Sequence, residues 1–431
     1  MGRGSIVWSK AAAFLLVAAA IFHAVRTATL PITTDEAFTF LRFASHPWLY
    51  LLRDYDANHH MLHTVLCKLA VGTLGPAEWT LRLPALLGSW AYLALVWRTA
   101  RRLAGGGPAL LAACVWLSAL PQIAEYLSVA RGYSLGAAFF LAALHEALQE
   151  APRLARVSLW LGFAATANLV FVIPGIALGL VLMLSHRELR NLVAPAATVL
   201  LWVNAVPLHY ASPDNFYFGV RTWRETVHSL LPIPALLWCA AGVLALAAWQ
   251  TRHCARTALV FRVLLLSLTL VGLLFVFRDT PLPYERTGIY LVVLLGLLAG
   301  AACRIPRAEP VLALAVLLAV GAAGHVHLRQ SGVWPFDAAN RVVIEAIQRD
   351  AVGRAPRVAA SFPLEYGLEF YRQTRRLPWP AVVQWKNQPD AVYLVWRTDE
   401  SKTPLPAGFA ELLRDPVTGV IVGKRMGLPG R

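Results

Sequence analysis

The sequence predicts an all-α polytopic membrane domain of about eleven transmembrane helices, followed by a small C-terminal α/β extracytoplasmic domain. Three observations predict it. Apolar runs long enough to cross a bilayer recur between residues 6 and 327. Arginines gather at the ends of these runs, as expected beside anionic lipid headgroups. From Trp334 onward the charge density rises and the long apolar runs stop. The 431 residues are 58% hydrophobic and 15% charged, with a mean hydropathy of +0.55, a balance that no soluble domain of this size requires.

The first run, Val7 to Val25, lacks a small-residue cleavage site and is followed by further spans, so it reads as a retained helix. Full spans are expected at 6–26, 80–98, 108–124, 133–149, 192–209, 231–249, 258–277, 286–303 and 309–327. The stretch 157–185 is apolar but broken at Asn168 and again at Pro174-Gly175, which predicts a hairpin of two short helices with Asn168 at its tip. Residues 59–75, closed by Gly72 and Gly75, are too short to span comfortably and fit an interfacial or re-entrant helix. Residues 1–330 then form the membrane domain, with 27–79 as its first outer loop, and 331–431 form the second domain. In that second domain, 337–350 and Leu364 to Arg375 read as helices. Arg357 to Phe362, Ala381 to Trp385, Ala391 to Trp396 and Gly419 to Lys424 read as short strands. No internal repeat stands out.

The net charge of +15 lies mostly beside spans and so does not point to nucleic acid. Five loops on the side of the N-terminus hold Arg98, Arg101 and Arg102; Arg153 and Arg156; Arg187 and Arg190; Arg252 and Arg256; and Arg304 and Arg307. The opposite side has Arg131, Arg221, Arg224, Arg278 and Arg286, so the bias is modest. It places the N-terminus in the cytoplasm, and an odd number of crossings places the C-terminal domain outside the cytoplasmic (inner) membrane. Five cysteines without paired spacing argue against a disulfide framework or a zinc site.

The first outer loop is the densest polar region. Asp35 and Glu36 follow the first span directly, and an acidic pair at a bilayer edge usually has a task. The structural alternative is a helix cap from Thr34 or Asp35. Trp48 and Tyr50 fit an interfacial aromatic belt. The run Asp56-Ala57-Asn58-His59-His60-Met61-Leu62-His63 opens the short apolar helix. His59 or His60 could contact phosphate. His59 and His63, four apart on one helix face, leave a divalent metal as an alternative, though a third ligand is missing. Three later outer segments add basic and aromatic groups: Glu125-Tyr126 through Tyr133, Phe216 to Arg221, and Tyr284 to Arg286. Arg131, Arg221, Tyr284 and Arg286 at one membrane depth could hold a lipid-linked phosphate, because guanidinium binds phosphate bidentately. Asp56, Asn58, Arg82, Tyr133 and Asn168 are further candidates.

Taken in order, the acidic pair, the Asn-His-His segment, the run Gly75-Pro76-Ala77-Glu78-Trp79-Thr80-Leu81-Arg82-Leu83-Pro84 and then Arg131-Gly132-Tyr133 resemble the GT-C superfamily of integral-membrane glycosyltransferases. The nearest branch is glycosyltransferase family 39-like, which includes protein O-mannosyltransferases and the lipid A aminoarabinose transferase. The resemblance covers roughly residues 1–300. It implies a catalytic carboxylate in the first outer loop, a sugar on a polyprenyl phosphate as donor, and inversion at the anomeric carbon. Asp35 matches the catalytic Asp, Glu36 its acidic neighbour, and Asn58-His59-His60 the segment near the lipid phosphate. The aminoarabinose branch has a lysine there, so histidine is a departure, as is Gly136 where relatives often carry an acid.

The residues themselves agree with that implication. A carboxylate can deprotonate an acceptor hydroxyl, and Arg and His groups can stabilise charge on a leaving phosphate. The acceptor would be a glycan, a lipid or a protein. A transporter or lipid flippase should instead place ionisable groups at mid-span, and these spans are largely clean. An assembly protein would need no carboxylates clustered beside outer arginines.

Overall fold

A computed structural model describes residues 3–186, 188–216, 218–302, 321, 324, 326–397 and 404–427. The expected span 309–327 and the arginines at 187, 304 and 307 fall almost wholly outside the described residues.

The chain forms two compact units. One comprises Met1–Ala24, Trp48–Leu66 and Leu83–Val326; the other comprises Val25–Pro47, Cys67–Arg82 and His327–Arg431. This division differs from a cut at residue 330, since two stretches of the first 82 residues belong with the C-terminal segment.

The helices follow the apolar runs. They are α1 (Arg3–Thr29), α2 (Thr34–Thr39), α3 (Trp48–Arg53), α4 (Met61–Leu74), α5 (Glu78–Ala104), α6 (Pro108–Ala119), α7 (Pro121–Ser128) and α8 (Tyr133–Ala147). After them come α9 (Leu154–Ala167), α10 (Val172–Met183), α11 (Leu189–His209), α12 (Trp223–Leu230), α13 (Pro234–Gln250), α14 (Ala255–Arg278) and α15 (Ile289–Ala302).

The break expected at Asn168 forms; the one expected at Pro174-Gly175 does not, because both lie in the opening turn of α10 where a missing amide costs nothing, and the span expected at 108–124 is broken. Pro121 opens α7 and splits the run 108–128 with a 56° bend. The predicted hairpin forms: Asn168 ends α9, and its side-chain oxygen accepts from the Val170 amide at 3.1 Å to start the turn into α10. Among the described residues, Ile6–Thr29, Ala255–Arg278 and Glu285–Ala302 are long and apolar enough to cross a membrane, and three bent pairs add to them. Several of the eleven expected crossings are therefore broken or short helices rather than whole ones. Phe14, Trp238 and Phe277 are each at least 75% exposed on these helices, an outer surface suited to lipid. The chain is an integral membrane protein.

In the second unit, a five-stranded sheet near the C-terminus runs in the order β2-β1-β3-β5-β4. Its strands are β1 (Val358–Ala360), β2 (Val383–Gln384), β3 (Tyr393–Trp396), β4 (Phe409–Arg414) and β5 (Ile421–Arg425). β1 pairs in parallel with β2 and β3, while β5 pairs antiparallel with β3 and β4. The sequence reading lacks β4, whose Phe-Ala-Glu-Leu-Leu-Arg has no β-branched residue and gains its strand form from pairing with β5. Helices α16 (Asn340–Asp350) and α17 (Leu364–Thr374) complete the unit. Phe38 and Phe40 stack edge-on against Tyr366 and Phe370 of α17, which fixes the Asp35 segment onto this helix.

Candidate functional site

Many of the residues singled out by sequence fall in two places, one in each unit. In the second unit, Thr33 caps α2, one residue before the positions expected for the cap. Glu36 is fully buried and accepts from the Thr33 amide at 2.9 Å and the Thr33 hydroxyl at 3.0 Å. Arg82, also fully buried, meets the same carboxylate with Nε at 2.7 Å and Nη2 at 2.6 Å. Its remaining donors reach the carbonyls of Thr27, Leu30 and Pro31 at 3.3, 2.5 and 2.8 Å. All five guanidinium N–H groups thus have acceptors, and the end of α1, the loop and α2 are tied to α5.

Glu78, one helical turn before Arg82, receives Arg341 of α16 in a two-pronged pair at 3.0 and 2.5 Å, together with the Tyr371 hydroxyl. The Glu-x-x-x-Arg spacing therefore serves as a staple. One residue holds the loop and the other holds the C-terminal helices.

With Glu36 occupied in this way, Asp35 is the member of the pair left half-buried in the first turn of α2. Beneath it lies a residue that sequence reading missed. Asp337, 2% exposed, accepts from the Thr34 amide at 2.6 Å and the Thr34 hydroxyl at 3.1 Å, and Asn340 donates to it at 3.1 Å. Burial pushes the Asp337 carboxyl up to about 8 against the pull of these donors, and the neighbouring Asp35 adds to the rise. No local signal marks Asp337, because its partner is 303 positions away in sequence.

The pH dependence follows from that raised value. Between about pH 4 and 8 the folded state holds a proton on Asp337 that the unfolded chain has lost. This contribution to stability is full below pH 4 and declines as pH rises to about 8. Thermal unfolding of Asp337→Asn in detergent should therefore show a flatter stability profile over that window than the parent. An unchanged slope would remove Asp337 as its source.

In the first unit, Asn58, His60, Arg131, Tyr133, Asn168 and Arg286 line one cavity of about 260 Å³. Its described lining contains no Asp or Glu. Arg131 is 2% exposed and donates to the Asn58 side-chain oxygen, while the Asn168 amide donates to the Arg131 carbonyl at 3.3 Å. Gly132 must be glycine: its φ is +69°, and a Cβ would lie 2.2 Å from the Ala167 carbonyl oxygen. Arg286 lies over the Phe218 ring, 3.9 Å from its centre. Burial holds the His60 imidazole well below its ordinary value, reinforced by the charges of Arg131, His63 and Arg286. Burial likewise lowers His59 to about 4. Near neutral pH, positive charge in this cavity therefore comes from Arg131 and Arg286, and His60 contributes as a neutral hydrogen-bonding group.

Other predicted residues lie elsewhere. Arg221 pairs with Asp279 in an exposed contact. Tyr284 meets the Phe218 ring at a tilt of 57° and is not among the residues lining the cavity. His59 bonds the Asp54 carbonyl at 3.2 Å, and Asp56 accepts from the Asn58 amide at 2.8 Å within the turn. Gly136 has a packing reason, since a Cβ there would lie 2.5 Å from the Phe171 ring at the hairpin tip. Among the described residues, no group of three His, Cys, Asp or Glu converges as a metal would need.

No family model matches the chain, and no curated protein matches its sequence. Solved structures do match. ArnT from Cupriavidus metallidurans bound to undecaprenyl phosphate superposes with a TM-score of 0.61 at 16% identity, over 95% of this chain and 97% of that one. Its apo state gives 0.59 over the same shares, again at 16% identity. The chain has the GT-C fold. The arabinofuranosyltransferase AftD from Mycobacteria shares it, with a TM-score of 0.52 at 16% identity over 96% of this chain and 40% of that one. Within this fold, the loop carrying Asp35 and the Arg131 cavity hold most of the candidate residues.

Proposed function

We propose that this chain is an inverting glycosyltransferase that takes a sugar from a polyprenyl phosphate at the outer face of the cytoplasmic membrane. The observation that carries the reading is the single cavity that Arg131, Arg286 and neutral His60 line together. Two guanidiniums lining one space suit an anion, and bidentate geometry suits phosphate. Helix α15 joins this cavity to a route for the lipid. Its first turns, with Tyr290, line the cavity, while Leu291, Val292 and Leu295 line an apolar groove of about 440 Å³ beside α12, α13 and α14. An amphiphile with a phosphate head and a hydrocarbon tail matches that sequence of surfaces. Undecaprenyl phosphate, present in the ArnT structure, is such a molecule.

In the reaction, Asp35 takes the proton of an acceptor hydroxyl on a glycan, lipid or protein as its oxygen attacks the anomeric carbon. The bond between that carbon and the phosphate oxygen breaks from the opposite face, and its electron pair stays on the lipid phosphate. Arg131 and Arg286 stabilise the charge that collects there, with His60 donating a hydrogen bond. Asp337 acts through Thr34 as a positioning residue for the Asp35 turn.

Arg131→Gln and Arg286→Gln should each weaken binding of undecaprenyl phosphate about tenfold or more, measured on purified protein with unchanged thermal stability. Unaltered affinity in both variants would remove the phosphate assignment.

The C-terminal sheet is proposed to lie on the outer side of the membrane. A cysteine at exposed Val417, in a cysteine-free background, should react with a membrane-impermeant reagent on intact cells. Reaction only after lysis would place the sheet in the cytoplasm and reverse the proposed orientation.

A further inference from the structure

We propose that a second arginine-lined cavity, where the ends of α5, α8, α9 and α14 meet, is a binding site for a diphosphate anion. The cavity has a volume of about 1110 Å³ and shares no lining residue with the Arg131 cavity. Arg98, Arg101, Arg102, Arg153, Arg156 and Arg256 line it, together with the carboxylates Glu146 and Glu150.

The two carboxylates do little to neutralise it. Glu150 pairs with Arg256 at 3.7 Å, and Glu146 accepts from the Arg153 backbone amide at 3.4 Å. The other five guanidiniums have no ion-pair partner among the described residues; Arg102 reaches only the Leu148 carbonyl at 3.5 Å, and Arg101 lies over Trp97. A neighbouring cavity of about 630 Å³ shares Gln149, Glu150 and Arg256 with the first and adds Arg252 and Arg262.

Arginines that merely anchor helix ends face outward singly. These come from the ends of three separate helices and surround one concave space, where a bound anion would ease their mutual repulsion. Forked guanidiniums favour phosphate oxygens, and their spread across a cavity of this volume suits two phosphates better than one. Two sources have that chemistry: a membrane lipid headgroup with two phosphates, and free pyrophosphate. Basic pockets between membrane helices are a known setting for the former.

The test uses the whole purified chain in nanodiscs of phosphatidylcholine, with or without cardiolipin, and reads retained lipid by native mass spectrometry. A parallel arm measures stabilisation by inorganic pyrophosphate in phosphatidylcholine alone. Cardiolipin should be retained over phosphatidylcholine, and the triple variant Arg101→Gln, Arg102→Gln, Arg156→Gln should lose that preference about tenfold or more. The corresponding triple Lys variant should fold alike and retain part of it, because charge remains while the fork is lost. Should the triple Gln variant fail to fold, single Arg101→Gln at its exposed position carries the same comparison. Pyrophosphate stabilisation lost in the variant, without cardiolipin preference, assigns the site to the free anion. Absence of both effects, or their survival in the Gln variant, overturns the proposal.

Discussion

Asp35→Asn is expected to lower glycosyl transfer by roughly 10²- to 10⁴-fold while leaving the protein folded, the range associated with loss of a positioned general base. The two acids of the pair sit in different surroundings. Glu36 is fully buried and bonded to Thr33 and Arg82, whereas Asp35 is half-buried at the first turn of α2. An amide at position 35 keeps the size of the side chain and the backbone bond from Thr39 to the Asp35 carbonyl at 2.9 Å. The check is turnover in a reconstituted assay with the true donor, alongside thermal unfolding and binding of undecaprenyl phosphate. Near-normal turnover would sink the role of base. Normal stability and lipid affinity with lost turnover would place the defect in the chemical step. Glu36→Gln should show a different signature, with a lower unfolding temperature accompanying its loss of activity, because it weakens a buried ion pair.

Arg82→Ala is expected to be the most damaging single change to the fold. It leaves the Glu36 carboxylate buried without its cation and strands three backbone carbonyls at Thr27, Leu30 and Pro31. Breaking one side of a buried pair costs about 3–5 kcal/mol, a large share of the net stability of a typical domain. The expected result is a chain that reaches the membrane but elutes as aggregate, or unfolds at a much lower temperature. Arg82→Lys should recover only part of the loss, since a single ammonium cannot serve the two Glu36 oxygens and three carbonyls at once. A variant Arg82→Ala with parental unfolding temperature would show that the staple contributes little.

Local chemistry made much of this protein legible. Apolar length set the long helices, and Asn168 interrupted one where a competing side chain breaks a helix; the break at Pro121 falls inside the span expected at 108–124, and Pro174 lies within the unbroken α10. Arg131, Arg286, His60, Asn58, Tyr133 and Asn168 were visible as polar or aromatic residues at the ends of apolar runs, and they line one cavity. Arg221 and Tyr284 carried the same signal but lie outside it, because an arginine or aromatic beside a span gives no indication of the direction its side chain takes.

Sequence by itself determined a polytopic helical chain, the hairpin broken at Asn168, the change of character at Trp334, and Asp35-Glu36 as the conspicuous acids. Tertiary structure alone decided the different surroundings of those acids, the dual staple of Glu78 and Arg82, and the presence of Asp337 under Thr34. The physical reason is range. Helix length and breaks arise from neighbours a few residues apart, whereas Arg341 meets Glu78 across 263 positions and Asp337 meets Thr34 across 303. Contacts of that separation leave no period or spacing in the sequence and exist only once the chain has closed on itself.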